Sequence, residues 1–198
     1  MQRTDDWYKA RLGKVTASSL YKVMAKEGTA LRADYMMDLL CERLTGKPVD
    51  NYTNEAMQRG IDLEPKAKAM YELITGNTVK QVGLIDHPVI QMFGASPDGL
   101  IDIEGNLEIK CPKTSTHVDF LLTGEIDKKY LYQTHAQMMC AERIWTDFVS
   151  YDDRLPPGLD YKCVRIERDD ELVKVIEEGV IKFLTALDKL ETTMRAKQ

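Results

Sequence analysis

The sequence is short of the residues that staple or ligate. Its 198 residues hold four cysteines, Cys41, Cys111, Cys140 and Cys163. No two of them form Cys-x-x-Cys, which argues against zinc and iron–sulfur sites and for free thiols in a reducing cytoplasm. His135 has no second His or Cys at ligand spacing. No apolar run reaches the length of a membrane span, and the opening Met1-Gln-Arg-Thr-Asp-Asp has no signal-like apolar core, so no membrane association is expected. Low-complexity tracts and solenoid-length repeats are also missing. There is no excess of positive charge. The net charge is −5, which excludes uniform electrostatic affinity for nucleic acid. Any work on DNA requires a local basic surface, and residues 1–30 carry six basic side chains against three acidic ones. What remains is ordinary for a globular chain: 43% hydrophobic and 30% charged residues, in a length that suggests one domain over 1–198 with a real core.

Apolar spacing outlines the elements. A short helix runs from Thr16 to about Lys26, with Thr16 or Ser18 as its cap. Trp7 and Tyr8, just before it, read as core anchors, or else Arg11 beside the helix start reads as a phosphate site. Leu31, Tyr35, Met36, Leu39, Leu40 and Leu44 place a helix over 31–45, stopped by Gly46 and Pro48. Asn54 caps a helix from Glu55 to about Ile74, with a kink or a fresh start near Pro65. Strands follow over 78–86 and 89–95. Helices are expected over 116–122 and 128–142, strands over 145–151 and 161–168, and an amphipathic helix from Asp170 to about Thr193. This order gives an α/β fold with a central mixed β-sheet flanked by helices.

Residues 96–110, Ser-Pro-Asp-Gly-Leu-Ile-Asp-Ile-Glu-Gly-Asn-Leu-Glu-Ile-Lys, sit at the centre of that sheet. Gly105-Asn106 between two apolar runs predicts a tight hairpin. Strand alternation turns Leu107 and Ile109 one way and Glu108 and Lys110 the other. The hairpin brings Asp98 beside the latter pair. Two carboxylates suit Mg²⁺, which polarises a phosphoryl group and activates water, and a nearby Lys stabilises developing charge. Pro97-Asp98…Glu108-x-Lys110 thus spells the nuclease signature PD-(D/E)-x-K. The competing reading is plain: Ser-Pro-Asp-Gly is common in turns, and Glu-x-Lys on a strand is often a solvated face. Glu64 could complete a metal site if its helix packs over the hairpin; otherwise it is a surface acid.

Ordered blocks decide between these readings. They are Trp7-x-x-x-Arg11-Leu-Gly-x-x-Thr16-Ala-Ser18, Gly60-x-x-x-Glu64, Ser96-Pro-Asp98-Gly-Leu, Leu107-Glu108-Ile-Lys110-Cys-Pro112, Tyr130-x-x-Gln133, Tyr151-Asp152-x-Arg154 and Ile166-Glu167-Arg168-Asp169. With them the chain resembles lambda exonuclease and the YqaJ-like viral recombinases, within the restriction-endonuclease-like nucleases. The resemblance implies that Asp98, Glu108 and the carbonyl of Ile109 hold one metal ion, and that Glu64 helps hold a second. It implies two Mg²⁺ ions per site, replaceable by Mn²⁺. Lys110 positions or activates the attacking water. Arg11, Ser18 and Ser96 form a pocket for a 5′-phosphate. Met57 is an apolar wedge between the last base pairs, and Trp7 an aromatic beside the phosphate site. Where the family often has Gln-x-Gln, this chain has Gln133-x-His135; both are candidates to support the ligating carboxylates.

The activity so implied is a 5′→3′ exonuclease on double-stranded DNA ends, releasing mononucleotides and leaving a 3′ single-stranded overhang. A ring-shaped homotrimer and a single-strand annealing partner are further implications, in phage-type recombination. An endonuclease of the same fold and a non-catalytic DNA-binding recombination mediator are the rival expectations.

Overall fold

The computed structural model describes residues 2–49 and 55–197, so the expected cap Asn54 lies outside the described residues. Helix α1 (Asp5–Arg11) comes first, then β1 (Val15–Thr16), a 3₁₀ turn (Ala17–Ser19) and a single helical turn, α2 (Leu20–Val23). Helices α3 (Ala30–Thr45) and α4 (Glu55–Thr75) follow. The strands β2 (Val79–Lys80), β3 (Ile85–Asp86), β4 (Phe93–Ala95), β5 (Gly99–Ile101) and β6 (Gly105–Lys110) come next. The chain ends with α5 (Thr114–Thr123), α6 (Lys128–Ala141), β7 (Trp145–Tyr151), β8 (Tyr161–Glu167) and α7 (Asp170–Arg195).

Two sheets form among the described residues. The larger is mixed, in the order β2-β5-β6-β7-β8, and the smaller has the order β1-β4-β3. Only the β6–β7 pair of the larger sheet is parallel, with Glu108 beside Phe148 and Lys110 beside Ser150. Strand β6 sorts its side chains by parity. Leu107 and Ile109 pack with Ala67 and Tyr71 of α4 and with Val149 and Tyr151 of β7. Burial of each such aliphatic side chain contributes about 2 kcal/mol. Glu108 faces the opposite way, toward α6. A second apolar cluster joins α2, α3 and α7 to the outer side of α6 through Leu20, Leu39, Ala136, Met139, Ile176 and Phe183. Helix α6 is thereby fixed on both sides.

Several local expectations are corrected. Residues 5–11 form a helix. The Thr4 hydroxyl accepts from Trp7 N–H at 3.3 Å, Asp5 and Asp6 occupy the first turn, and Lys9 and Arg11 the last, a charge order that suits the helix dipole. That helix buries none of its residues, and Tyr8 is 48% exposed, so Trp7 and Tyr8 are not core anchors. Neither Thr16 nor Ser18 caps the next helix through its side chain; both hydroxyls meet Arg11 instead. Helix α4 runs through Pro65 as one element. The strand expected over 78–86 serves two sheets, Val79–Lys80 pairing with β5 and Ile85–Asp86 with β4.

The hairpin turn also moves. Gly105 and Asn106 lie inside β6, opposite Ile101 and Leu100, and the turn is made by residues 102–104 with Asp102 at φ 45°. Gly105 is glycine for a different reason. A Cβ there would sit 2.1 Å from the ring of Trp145, so a side chain at 105 and an indole at 145 exclude each other.

Candidate active site

Strand alternation, the β5–β6 turn and α4 converge on one cleft of 550 Å³. Trp7, Arg11, Ser18, Met57, Glu64, Ser96, Asp98, Glu108, Ile109, Lys110 and Gln133 all line it. Residues from four separate stretches of chain are thus brought together. His135 is not among them. Its Nδ1 donates to the Leu131 carbonyl at 2.8 Å, and its Nε2 accepts from the Asp169 N–H at 3.1 Å. Both ring nitrogens are used in joining α6 to the start of α7, and burial lowers its pKa, which keeps it neutral.

At the cleft floor each acid has a partner. An Asp98 carboxylate oxygen accepts from the Ile109 N–H at 2.7 Å, which locks the head of β5 to β6. Glu108 is 2% exposed. It forms an ion pair with Lys110 at 2.5 Å and accepts from Gln133 at 2.7 Å and Gln137 at 2.5 Å. The two glutamines stand four residues apart, on one face of α6. The Gln133 oxygen in turn accepts from Lys110 at 3.1 Å, and the ammonium lies 5.0 Å from the centre of the Tyr130 ring. Glu64 accepts from Arg3 at 2.5 Å.

The electrostatics follow from this crowding. Desolvation, then the charges of Glu108 and Glu64, push the Asp98 carboxyl well above the usual carboxylate range, against the pull of Lys110 and the Ile109 N–H. For Lys110, burial would lower the pKa, but the Glu108 and Asp98 carboxylates outweigh it and raise it, so the group is a firm cation. Cys111, next in the chain, has its thiol pushed up to about 12 by burial and is not a thiolate.

Among the described residues, no three carboxylate, imidazole or thiol groups stand as a ready cation cage. The donor set nonetheless fits a hard divalent cation: carboxylates of Asp98, Glu108 and Glu64, a backbone carbonyl at Ile109 and no soft ligand. Burial first, and then the neighbouring Glu108 and Glu64 charges, disfavour a bare carboxylate at Asp98, and a bound cation would relieve both. Cation binding there requires Glu64 and Glu108 to loosen their present pairs.

The cleft wall carries a guanidinium among hydroxyls. The Arg11 guanidinium stacks 4.2 Å over the Trp7 ring, and the Trp7 indole N–H donates to the Ser96 hydroxyl at 2.9 Å. Arg11 also reaches the Thr16 and Ser18 hydroxyls at 3.4 and 3.5 Å. Among the described residues it forms no ion pair, and burial lowers its pKa. A desolvated, uncommitted guanidinium beside hydroxyl groups has the chemistry to take a phosphate.

Sequence reasoning missed Gln137, Arg3 and the contact of Tyr130 with Lys110. A signal existed for Gln137, because it stands one helical turn after Gln133. None existed for Arg3, whose partner is 61 residues away.

Comparisons with known proteins place this cleft in a lineage. The crystal structure of LHK-Exo in complex with dAMP superposes with a TM-score of 0.94 at 50% identity, covering 98% of this chain and 97% of that one. The alkaline exonuclease LHK-Exo from Laribacter hongkongensis gives 0.93 at 51% identity, with the same coverage. A phage-related exonuclease from Haemophilus somnus 129PT shares the fold, at a TM-score of 0.77 and 17% identity over 91% of this chain and 96% of that one. No curated protein sequence matches. The YqaJ-like viral recombinase domain matches residues 6–144, from the first turns of α1 to the residue before β7. With half the residues identical to LHK-Exo across nearly the whole chain, the protein belongs to the YqaJ-like viral recombinase family of lambda-exonuclease-like nucleases.

Proposed function

We propose that the chain is a divalent-metal-dependent exonuclease that digests the 5′-ended strand of a DNA duplex, releases mononucleotides and leaves a 3′ overhang for recombination. The observation that carries this reading is the pairing, in one cleft, of a PD-(D/E)-x-K carboxylate cluster with an uncommitted guanidinium. A second anion site beside the carboxylates suits a terminal phosphate held while the neighbouring phosphodiester is cut. The relative solved with dAMP, a mononucleotide, supports the product class. Residues 1–198 act as one exonuclease domain.

The bound cation, Mg²⁺ or Mn²⁺, would supply charge on the phosphoryl oxygens and a more acidic water. Asp98, Glu108, Ile109 through its carbonyl, and Glu64 would hold two such ions. The chain's own residues do the rest. Gln133 and Gln137 orient the Glu108 carboxylate, whose pair with Lys110 would loosen on ligation. Lys110, already protonated, orients water and steadies developing negative charge rather than abstracting a proton. Arg11, Ser18 and Ser96 hold the terminal phosphate, with Trp7 setting the plane of Arg11. Met57, 57% exposed at the cleft rim, wedges the terminal base pairs. A homotrimeric ring, with an annealing protein taking the exposed strand, completes the reading.

The test is digestion of linear duplex labelled at either 5′ or 3′ ends, beside a covalently closed circle, in Mg²⁺ and in excess chelator, with Asp98→Ala as the control. The expected result is mononucleotide release from 5′-labelled ends, an intact circle, and no product with chelator or with Asp98→Ala. Cleavage of the circle, or full activity of Asp98→Ala, would overturn the reading.

A further inference from the structure

Arg3 stands where the metal reading needs space. Its guanidinium meets Glu64 at 2.5 Å, and both residues line the catalytic cleft. The backbone delivers it there. Arg3 has φ 64°, a left-handed conformation rare for a residue with a Cβ, immediately before Thr4 caps α1. The preceding residue pins the segment. The Gln2 amide donates to the Pro97 carbonyl at 2.8 Å, next to Asp98 itself. The first residues are therefore laid across the cleft, with one foot on the Pro97-Asp98 turn and one cation on Glu64.

The two cations that pair with the cleft's carboxylates are held very differently. Lys110 is bound to a 2%-exposed Glu108 and to Gln133, and Asp98 adds its charge. Arg3 is 39% exposed, its partner Glu64 is 23% exposed, and Glu64 is its one ion-pair partner among the described residues. Exposed pairs of this kind are cheap to break, whereas buried, multiply bonded pairs are not. A divalent cation approaching Glu64 meets both a competitor for the carboxylate and a like charge.

Resting on the metal-dependent reading above, we propose that Arg3 is a displaceable counter-ion for Glu64. It keeps this carboxylate oriented into the cleft until the second divalent cation takes its place, and so sets how tightly that cation binds. Arg3 is a positioning residue that makes the two metal positions unequal: the ion at Asp98 and Glu108 binds first, because Asp98 has no ion-pair partner to displace among the described residues, and the ion at Glu64 binds against Arg3.

The test needs no turnover. Mn²⁺ is titrated into the DNA-free full chain, with heat and the free-ion EPR signal recorded for wild type, Arg3→Ala, Arg3→Lys, Gln2→Ala, Glu64→Gln and Arg3→Ala/Glu64→Gln. Two unequal sites are expected in wild type. Arg3→Ala tightens the weaker site about fivefold, the scale of one exposed ion pair, and leaves the tighter one unchanged. Arg3→Lys restores most of the wild-type constant, and Gln2→Ala, which unpins the arm, gives part of the effect. Glu64→Gln removes the weaker site, and adding Arg3→Ala to it changes nothing more. A weaker site that is unchanged or loosened in Arg3→Ala would show that Arg3 only props Glu64, and the proposal fails while the metal reading stands. No Mn²⁺ bound by wild type above the level of Asp98→Ala would overturn both.

Discussion

At the scale of single residues, protonation states separate the candidate roles. Lys110 is held as a cation by Glu108 and Asp98 against its own burial, so in the proposed reaction its contribution would be charge placed where negative charge grows. Such a contribution is felt in the transition state more than in the bound complex. Lys110→Ala is therefore expected to lower single-turnover cleavage by about 10²–10³-fold, the scale for one lost electrostatic stabiliser. Binding of duplex ends in Ca²⁺, which accepts looser coordination and activates water weakly, should change little. A rate loss matched by an equal binding loss would move Lys110 from the chemistry to the grip.

Arg11 makes the complementary case. It packs on Trp7 and reaches only hydroxyls, so its charge is free for a ligand. A terminal phosphate offers that charge a bidentate partner, and a 5′-hydroxyl does not. In a folded Arg11→Ala protein, digestion of phosphorylated ends should slow and their advantage over hydroxyl ends should disappear. A preserved ratio, with both substrates slowed together, would reduce Arg11 to a packing partner of Trp7.

Among the elements, the junction between α4 and the end of β7 holds the cleft's outer wall in place. Asp152, fully buried, accepts from Arg59 of α4 at 3.0 Å and from Arg154 at 2.7 and 2.9 Å, and Arg154 also donates to the Pro112 carbonyl at 3.1 Å. Helix α4 carries Met57 and Glu64, so this carboxylate ties the proposed wedge and a proposed metal ligand to the end of β7. Burial alone would raise the Asp152 pKa; the hydrogen bonds from Arg154 and Thr114 outweigh it and hold the carboxyl well below the usual carboxylate range. A depressed folded-state pKa stabilises the fold fully above the unfolded value of about 3.9, and that contribution is lost as pH falls through the folded value. Asp152→Asn should cost about 2 kcal/mol in urea unfolding at pH 7, with the gap to wild type narrowing steadily as pH falls below about 4. A gap that did not depend on pH would assign the loss to packing instead of charge.

The same elements show how far a sequence can be read. Parity along Leu107–Lys110 was legible because strand alternation is local, and it separated the apolar pair facing α4 from the Glu108–Lys110 pair facing α6. The turn was misplaced because Gly105 answers to Trp145, a ring forty residues later that no local pattern announces. His135 was placed on the right helix. Its partner, Asp169 at the foot of α7, decides that it faces away from the carboxylates. Helix α1 was overlooked although its cap and charge order are written in Thr4-Asp5-Asp6, because it buries nothing and so shows no apolar period. Chemistry with a short sequence span was readable, and chemistry made by packing distant segments was not.

For the whole molecule, charge bounds how it can hold DNA. The chain carries −5 overall, so its grip on a duplex rests on local, not net, positive charge. Five cations gather around the cleft and the cavity beside it: Arg3, Arg11, Lys14, Lys22 and Lys110. Three of these are committed to carboxylates, Arg3 to Glu64, Lys14 to Asp86 and Lys110 to Glu108. Only part of that charge is available to release counterions from DNA. With about two to four phosphates neutralised per chain, a plot of log binding constant against log salt for a duplex end, measured in Ca²⁺, should have a slope of about −2 to −3.5. Replacing Lys22, which is free of any ion pair among the described residues, by Ala should flatten the slope by about one contact. A slope steeper than about −7 per chain would mean that the duplex is tracked along an extended surface, and the view of an end held at one phosphate pocket would have to be given up.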